Sequence, residues 1–195
     1  MIVTLGGAPI YIEKISNIKK HQELLEPFIQ DDSFWRTADE WKSKTTTTHQ
    51  HPRNHELPWN SIIPEVNNHF EEFIQIFQPN LNGIEIETHP WLNRYETGDW
   101  QEQHNHFAPE IFFSMSYIIR SNGEENFVFC DQEYTWYSHF YAKNIFNKWP
   151  ARQYIPEQPD GTLMIFPSTL DHFVMPNKSK NYRISASANF VIKKR

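Results

Sequence analysis

The amino-acid sequence predicts an α+β fold in which helices come first and a β-sandwich or jelly roll follows. One observation is a change in apolar spacing, which is helical up to residue 77 and alternates from residue 84 onward. Another is a series of short β-rich runs in the second half, separated by turns such as residues 121–123. No repeat or linker divides the 195 residues. We therefore predict a single domain, 1–195, with 1–82 as a helical N-terminal support and 83–195 as the core.

Two segments have the spacing of amphipathic helices. In residues 59–77, apolar side chains recur on one face, and Pro64 fits the first turn of the predicted helix. Residues 15–30 have a similar but looser pattern. Residues 31–58 are polar and rich in Thr, His, Asn and Pro, so we expect a long loop there, with one short helical turn near residues 38–41.

The predicted strands begin where Ile84 and Ile86 alternate with glutamates. Further β-rich runs follow along the rest of the chain. They cover residues 91–95, 111–119, 126–130, 162–166 and 184–192.

Composition excludes several classes of protein. The net charge is −6 and the basic residues are scattered, so no nucleic-acid partner is indicated. Apolar runs are too short to span a membrane, and no signal peptide is evident, so we expect a cytoplasmic protein without a membrane partner. The lone Cys130 excludes an intramolecular disulfide and a Cys-rich zinc site, and we interpret it as a buried structural thiol.

The chemistry-bearing residues lie in the β-rich half. His104 and His106 are separated by one residue, which in a strand puts both imidazoles on one face. His172 follows a predicted strand far downstream, and Arg183 opens the last strand, with Ser185 on the same side. Three ligands on one face leave metal positions open for a bidentate co-substrate and O2. A buried Arg suits the distal carboxylate of a dicarboxylic keto acid.

The other histidines are weaker candidates for a metal site. His49-x-His51, with His55 nearby, lies in loop-like sequence, where histidines are usually solvated. We expect the remaining ones to be solvated or on helix faces, namely His21, His69, His89 and His139.

Residues 91–190, about half of the chain, resemble the 2-oxoglutarate- and Fe(II)-dependent oxygenases related to prolyl hydroxylases. Several elements occur in the right order, and together they form a stronger signal than any one alone. They are Trp91-Leu92-Asn93-Arg94-Tyr95, Gly98-Asp99, His104-x-His106, Ser114-x-Ser116-Tyr117, Pro159-x-Gly161, Phe166-Pro167-Ser168, His172 and Arg183-x-Ser185.

The resemblance implies a double-stranded β-helix, with helices packed outside a jelly-roll core. It implies Fe(II), with 2-oxoglutarate and O2 as co-substrates and succinate and CO2 as products. His104 and His172 correspond to the two histidine ligands, whereas His106 stands where the wider superfamily usually carries Asp or Glu. A third neutral ligand makes the metal site more positive and should alter its potential and affinity.

Further residues are predicted to bind the co-substrate. Arg183 and Ser185 would hold its distal carboxylate, and Tyr95, Tyr117 and Asn189 could hydrogen-bond the keto acid. We predict no catalytic residue beyond the metal ligands. The primary substrate would be a peptide, a protein or a small molecule.

Two alternative functions remain open from the sequence. One is a non-catalytic jelly-roll module that binds carbohydrate or peptide, and His106 in place of a carboxylate keeps this alternative open. The other is a cupin-like enzyme with three histidine ligands that does not use 2-oxoglutarate. Arg183 and Ser185 argue against it, because such an enzyme needs no clamp for a distal carboxylate.

An aromatic segment, residues 134–154, lies between the predicted strands 126–130 and 162–166. It holds eight aromatic residues, among them Trp136 and Tyr137. We predict that it borders the mouth of the site and binds the primary substrate. The alternative is that it packs against the helix of residues 59–77 and stabilises the fold.

Overall fold

The computed structural model describes residues 1–5, 7–39, 41–77, 79, 82–130 and 153–194. Two α-helices lie in these ranges, α1 (Ile18–Ile29) and α2 (Trp59–Gln75), with short 3-10 helices at Asp32–Phe34 and Asn54–Glu56. The strands of these ranges are β1 (Ile2–Leu5), β2 (Ala8–Lys14), β3 (Arg36–Thr37), β4 (Thr46–Thr47), β5 (Ile84–Tyr95), β6 (Gln101–His104), β7 (Ile111–Arg120), β8 (Phe127–Cys130), β9 (Gln153–Tyr154), β10 (Thr162–Pro167), β11 (His172–Val174) and β12 (Arg183–Lys194).

Within the described ranges, the strands form two antiparallel sheets. The larger has eight strands in the order β1-β2-β10-β7-β12-β5-β4-β3, and the smaller has the order β6-β11-β8-β9. Both helices contribute to a hydrophobic core with side chains from β5, β7, β10 and β12, so they pack on one face of the larger sheet. This arrangement is the predicted α+β jelly roll with helices outside.

Helix α2 is amphipathic because its apolar residues recur every three or four positions. Ile62, Val66, Phe70 and Phe73 are buried against the larger sheet. The ring of Phe70 stacks on that of Phe190, with centroids 3.9 Å apart and planes 9° from parallel. The helix predicted over residues 59–77 is therefore confirmed, and its sheet-facing side is the predicted one.

Strand β12 separates the two faces of the larger sheet. Its even-numbered residues, Ile184, Ala186, Ala188 and Phe190, belong to the core under the helices. Strand alternation turns the odd-numbered residues to the opposite, inner face. These residues are Arg183, Ser185, Ser187 and Asn189, so the inner face of this strand is polar.

The N-terminal part of the chain differs from the prediction. Strands β1 and β2 form a hairpin, and β2 pairs with β10 in the larger sheet. At the other edge, β4 pairs with β5 and β3 with β4. Residues 1–82 are therefore more than a helical support, because they supply four strands of the sheet. Since both parts of the chain share one sheet, we propose that they form a single domain.

The segment predicted as a long loop, residues 31–58, contains the strands β3 and β4. The run of threonines was the signal for this pairing, since β-branched residues favour strands. The Thr47 hydroxyl donates to the Leu92 carbonyl at 2.9 Å. Among the described helices, none is both long and apolar enough to cross a membrane.

Candidate metal and co-substrate site

Three histidines meet on the smaller sheet and the turn that follows its edge strand. His104 ends β6 and lies directly across from His172, the first residue of β11, with ring centroids 4.3 Å apart. His106 lies beyond β6, where its backbone N–H donates to the Ser168 carbonyl at 2.8 Å. One ligand atom from each ring lies within 4.8 Å of the other two. The predicted trio is therefore brought together, although only His104 of the first pair is in a strand.

Each ring is oriented by a hydrogen bond at Nδ1. His104 Nδ1 donates to the Glu102 carbonyl at 2.7 Å, and His172 Nδ1 donates to the Leu170 carbonyl at 3.0 Å. Because a carbonyl oxygen can only accept, the proton must be on Nδ1. The Nε2 atom of each ring is then unprotonated and available as a metal ligand.

The third ring, His106, is held by side chains of the larger sheet. Its Nδ1 lies 2.8 Å from Asn189 Oδ1 and 3.0 Å from Ser114 Oγ. The Ser114 hydroxyl also donates to Asn189 Oδ1 at 2.8 Å. The carboxamide oxygen is an acceptor, so it selects the same tautomer of the ring. Sequence reasoning placed Asn189 near the keto acid and missed this contact with His106.

Burial keeps the three imidazoles neutral. The pKa of His106 is lowered to about 4. The larger cause is loss of solvent, and the next is repulsion from a charged His104. Burial also lowers the pKa of His104, and it lowers the pKa of the fully enclosed His172 well below its ordinary value. Neutral imidazoles are the form that binds a metal, so at pH 7 the cluster needs no proton release to do so.

The cluster opens into a cavity of about 440 Å³. Its wall is the polar inner face of the larger sheet, including Asn93, Ser116, Ser185 and Ser187. Register explains this arrangement, because Ser187 pairs with Trp91 of β5 on one side and with Ser116 of β7 on the other. The Ser116 hydroxyl and the Trp91 indole N–H have no hydrogen-bond partner among the described residues.

Arg183 lies at the end of this polar row. Its side chain is 1% exposed, and its three guanidinium nitrogens have no hydrogen-bond partner within the described ranges. Burial lowers its pKa to about 10, so it remains charged at pH 7. An unpaired buried charge is strongly destabilising, and a carboxylate would relieve it.

The neighbours of Arg183 connect it to the cavity. Its guanidinium lies 5.6 Å from the centroid of the Tyr95 ring, and Tyr95 itself lines the cavity with Ser185. The Tyr95 hydroxyl donates to Gln101 Oε1 at 2.7 Å. Arg183 itself is not among the lining residues. The predicted set is thus gathered in one place, with Tyr95 and Ser185 on the cavity wall and Arg183 next to the Tyr95 ring.

The structure corrects the prediction for Tyr117. This residue is on β7, but it has the opposite parity to Ser116 and faces the helices. Its hydroxyl lies 3.0 Å from Nδ1 of His21, which is on helix α1, one of the two places predicted for it, and is buried there. Tyr117 therefore has no access to the cavity. The spacing from His104 suggested that Tyr117 binds the keto acid. Its position in the strand decides against this role, because alternate residues of β7 face opposite sides of the sheet.

His49 is a second correction, because it is part of the cavity wall and not a solvated loop residue. Its ring stacks on Trp41 at 5.9 Å and meets the edge of Trp91 at 4.8 Å. These contacts follow from the pairing of β4 with β5, which sequence reasoning missed. Of the predicted substrate segment 134–154, residues 134–152 lie outside the described ranges, whereas Tyr154 is in β9 and packs near Phe129.

A family model described as "Putative 2OG-Fe(II) oxygenase" matches residues 89–189, about half of the chain. The chain belongs to this family of 2-oxoglutarate- and Fe(II)-dependent oxygenases. The match contains the three histidines and the row from Arg183 to Asn189. The family implies Fe(II) and 2-oxoglutarate, and a cluster of three histidines fits iron. No curated protein sequence gives a significant match.

Solved structures share the fold of this oxygenase. A prolyl-4-hydroxylase from Pseudomonas putida has a TM-score of 0.66 at 15% identity, over 98% of this chain and 94% of that chain. A prolyl hydroxylase from Trichoplax adhaerens, in complex with a hypoxia inducible factor peptide fragment, has a TM-score of 0.60 at 11% identity, over 93% and 83%. The non-heme alpha ketoglutarate dependent carbocyclase SnoK has a TM-score of 0.62 at 9% identity, over 95% and 82%. At such low identity, these likenesses show the double-stranded β-helix fold and nothing further.

Proposed function

We propose that this oxygenase is an Fe(II)- and 2-oxoglutarate-dependent dioxygenase that hydroxylates its primary substrate. One observation carries the proposal: a cluster of three histidines opens into a cavity whose wall includes Tyr95 and Ser185, and the buried Arg183, which has no hydrogen-bond partner among the described residues, lies against Tyr95. The cluster matches a metal that keeps open positions, and the arginine matches a dicarboxylate.

His104, His106 and His172 would hold Fe(II) through their Nε2 atoms. The fit rests on the Nδ1 hydrogen bonds, which direct the opposite nitrogen of each ring to the shared space. Three neutral ligands leave the full charge of the metal to be balanced by anionic co-substrates, which favours a bound keto acid.

Arg183 would bind the distal carboxylate of 2-oxoglutarate, with Ser185 as a second donor from the same face. The ring of Tyr95 lines the cavity 5.6 Å from the guanidinium and would orient the carbon chain. The Ser116 hydroxyl and the Trp91 indole N–H, which have no hydrogen-bond partner among the described residues, would be further donors for the co-substrate.

The proposed reaction converts a substrate C–H bond to C–OH. One atom of O2 enters the substrate and the other enters succinate, while the keto acid releases CO2. When bound, iron supplies the activation of O2. The protein residues would bind and orient the reactants.

The primary substrate would be a peptide, a protein or a small molecule. Two structures with this fold are a prolyl hydroxylase in complex with a peptide fragment and a carbocyclase from nogalamycin biosynthesis, so the fold is not restricted to one kind of reaction. No other catalytic side chain is needed for the proposed reaction.

The deciding experiment is an anaerobic titration of the apo-protein with Fe(II), followed by 2-oxoglutarate. We expect one metal per chain and then a weak visible charge-transfer band from the chelated keto acid. Metal binding without the band would instead support a three-histidine metal enzyme that does not use 2-oxoglutarate. Failure to bind metal would support a non-catalytic binding module.

A further inference from the structure

A second cavity, of about 650 Å³, lies beside the metal site. It is bounded by the end of α2, the helix-facing side of the larger sheet, and the turns before β7 and after β10. We call it the apolar groove, and its wall includes Phe70, Phe77, Ile86, Phe107, Phe112 and Ile192. Three of these rings are largely open to solvent, because Phe77, Phe107 and Phe112 are 50%, 69% and 62% exposed.

The groove and the cavity of the metal site share part of their wall. Phe107, Ala108 and Ile111 line both of them. This shared turn begins directly after His106. The end of the groove at this turn is therefore next in sequence to one of the proposed metal ligands.

The described wall of the groove offers few partners to a peptide backbone. Among the described residues that line it, none is charged and four are prolines, which have no N–H to donate. Groups on the rim are already paired: the Ile111 carbonyl accepts from the Ser168 hydroxyl at 2.7 Å, and the Phe112 carbonyl accepts from the Ser168 N–H at 3.0 Å. A bound molecule with polar groups along its length would bury those groups without hydrogen-bond partners, which costs free energy. A hydrocarbon chain has no such groups.

We propose that the apolar groove binds a neutral alkyl chain of the primary substrate and directs one end of it toward the metal. The substrate class is then a compound with an acyl, prenyl or similar chain, in place of an extended peptide. The proposal deepens the proposed function and rests on it for the identity of the reacting site. Binding of the chain, however, depends on groove residues alone.

The test uses the full chain without iron or 2-oxoglutarate. The neutral dye N-phenyl-1-naphthylamine reports an apolar site by its fluorescence, and 1-decanol is the competing alkyl ligand. We expect saturable dye binding that 1-decanol displaces. Phe77→Gln and Phe112→Gln should each weaken 1-decanol by about tenfold, since each removes exposed apolar wall. Ile76→Gln is the matched control, because Ile76 is 56% exposed on the same helix end but does not line the groove.

Several outcomes would overturn the proposal. They are the absence of displaceable dye binding, an equal loss in the Ile76→Gln control, or displacement by a Pro-Pro-Gly repeat peptide but not by 1-decanol. A dimer seen by sedimentation that dissociates on Phe112→Gln, without alkyl binding, would assign the groove to a second copy of the chain. His172→Ala should leave dye and 1-decanol binding unchanged, which separates this result from failure of the metal site.

Continuity with the metal site is tested by NMR. With Mn(II) bound, as verified by electron paramagnetic resonance, proton signals of 1-decanol at one end of the chain should broaden more than those at the other. Uniform broadening or none, with 1-decanol still bound, would show that the groove does not lead to the metal.

Discussion

The imidazole of His106 and the carboxamide of Asn189 are joined by a 2.8 Å hydrogen bond between Nδ1 and Oδ1. The bond connects the last strand of the larger sheet to the histidine cluster of the smaller one. It also fixes the tautomer of a ring that no strand holds in place.

Replacing Asn189 should therefore weaken metal binding. Asn189→Leu removes the acceptor and leaves only Ser114 near Nδ1, so we expect a loss of metal affinity of about 10- to 100-fold. Anaerobic titration with Fe(II) measures it. Ser187→Ala, on the same face of the same strand, is the control and should bind metal as the wild type does. An unchanged affinity in Asn189→Leu would show that the hydrogen bond does not orient the ring.

Replacing Arg183 should separate stability from co-substrate binding. Arg183→Met removes an unpaired buried charge, so the apo-protein should unfold at the same or a higher denaturant concentration. Affinity for 2-oxoglutarate should nevertheless fall by about 30-fold or more, because a buried charged hydrogen bond is lost. Metal affinity should not change.

Denaturation with and without 2-oxoglutarate measures both effects, since a ligand stabilises only the form that binds it. Arg94→Met is the matched control, because Arg94 is ion-paired with Asp32 and faces away from the cavity. If Arg183→Met binds 2-oxoglutarate as the wild type does, the co-substrate assignment fails.

The two tyrosines predicted to bind the keto acid should behave differently. Tyr117→Phe breaks the hydrogen bond with His21 and leaves a buried nitrogen without a partner, which destabilises by about 1–3 kcal/mol. It should not affect affinity for 2-oxoglutarate. Tyr95→Leu, which removes the ring from the cavity wall, should lower that affinity. Urea unfolding and co-substrate titration of both variants provide the comparison, and reduced co-substrate affinity in Tyr117→Phe would contradict the assignment of its side chain to the helix face.

His21 should make the stability of the apo-protein depend on pH. Burial lowers its pKa in the folded state, an effect that nearby Glu65 opposes and Lys20 reinforces. The unfolded chain then binds the proton more readily, so stability is full above the ordinary histidine pKa of about 6.5 and decreases as the pH falls below it.

Removing the imidazole should reduce this decrease. We expect His21→Gln to be less stable than the wild type at pH 7.5 and to lose less stability between pH 7 and pH 5. Urea unfolding of the metal-free proteins across this range measures the difference. The other histidines contribute to the pH dependence of both proteins alike, so their contribution cancels in the comparison. Parallel pH profiles would exclude His21 as the cause.

The sequence by itself determined the α+β class, because the spacing of apolar residues is a local property. The helix over residues 59–77 was predicted from its period, and the longer strands from residue 84 onward were predicted from alternation and β-rich runs, whereas the strands of the first 82 residues were not predicted. The metal cluster was also predictable, since His104, His106 and His172 occur among motifs whose order resembles a known family.

Tertiary structure alone decided which side chains share the cavity. Tyr117 and Ser116 are neighbours in sequence, but the face on which each lies depends on strand register, which partner strands set across long separations. Likewise, His49 reaches the cavity only because β4 pairs with β5, and Asn189 meets His106 only because the two sheets face each other. Local sequence carries period but not register, so it could predict the elements and not the contacts between them.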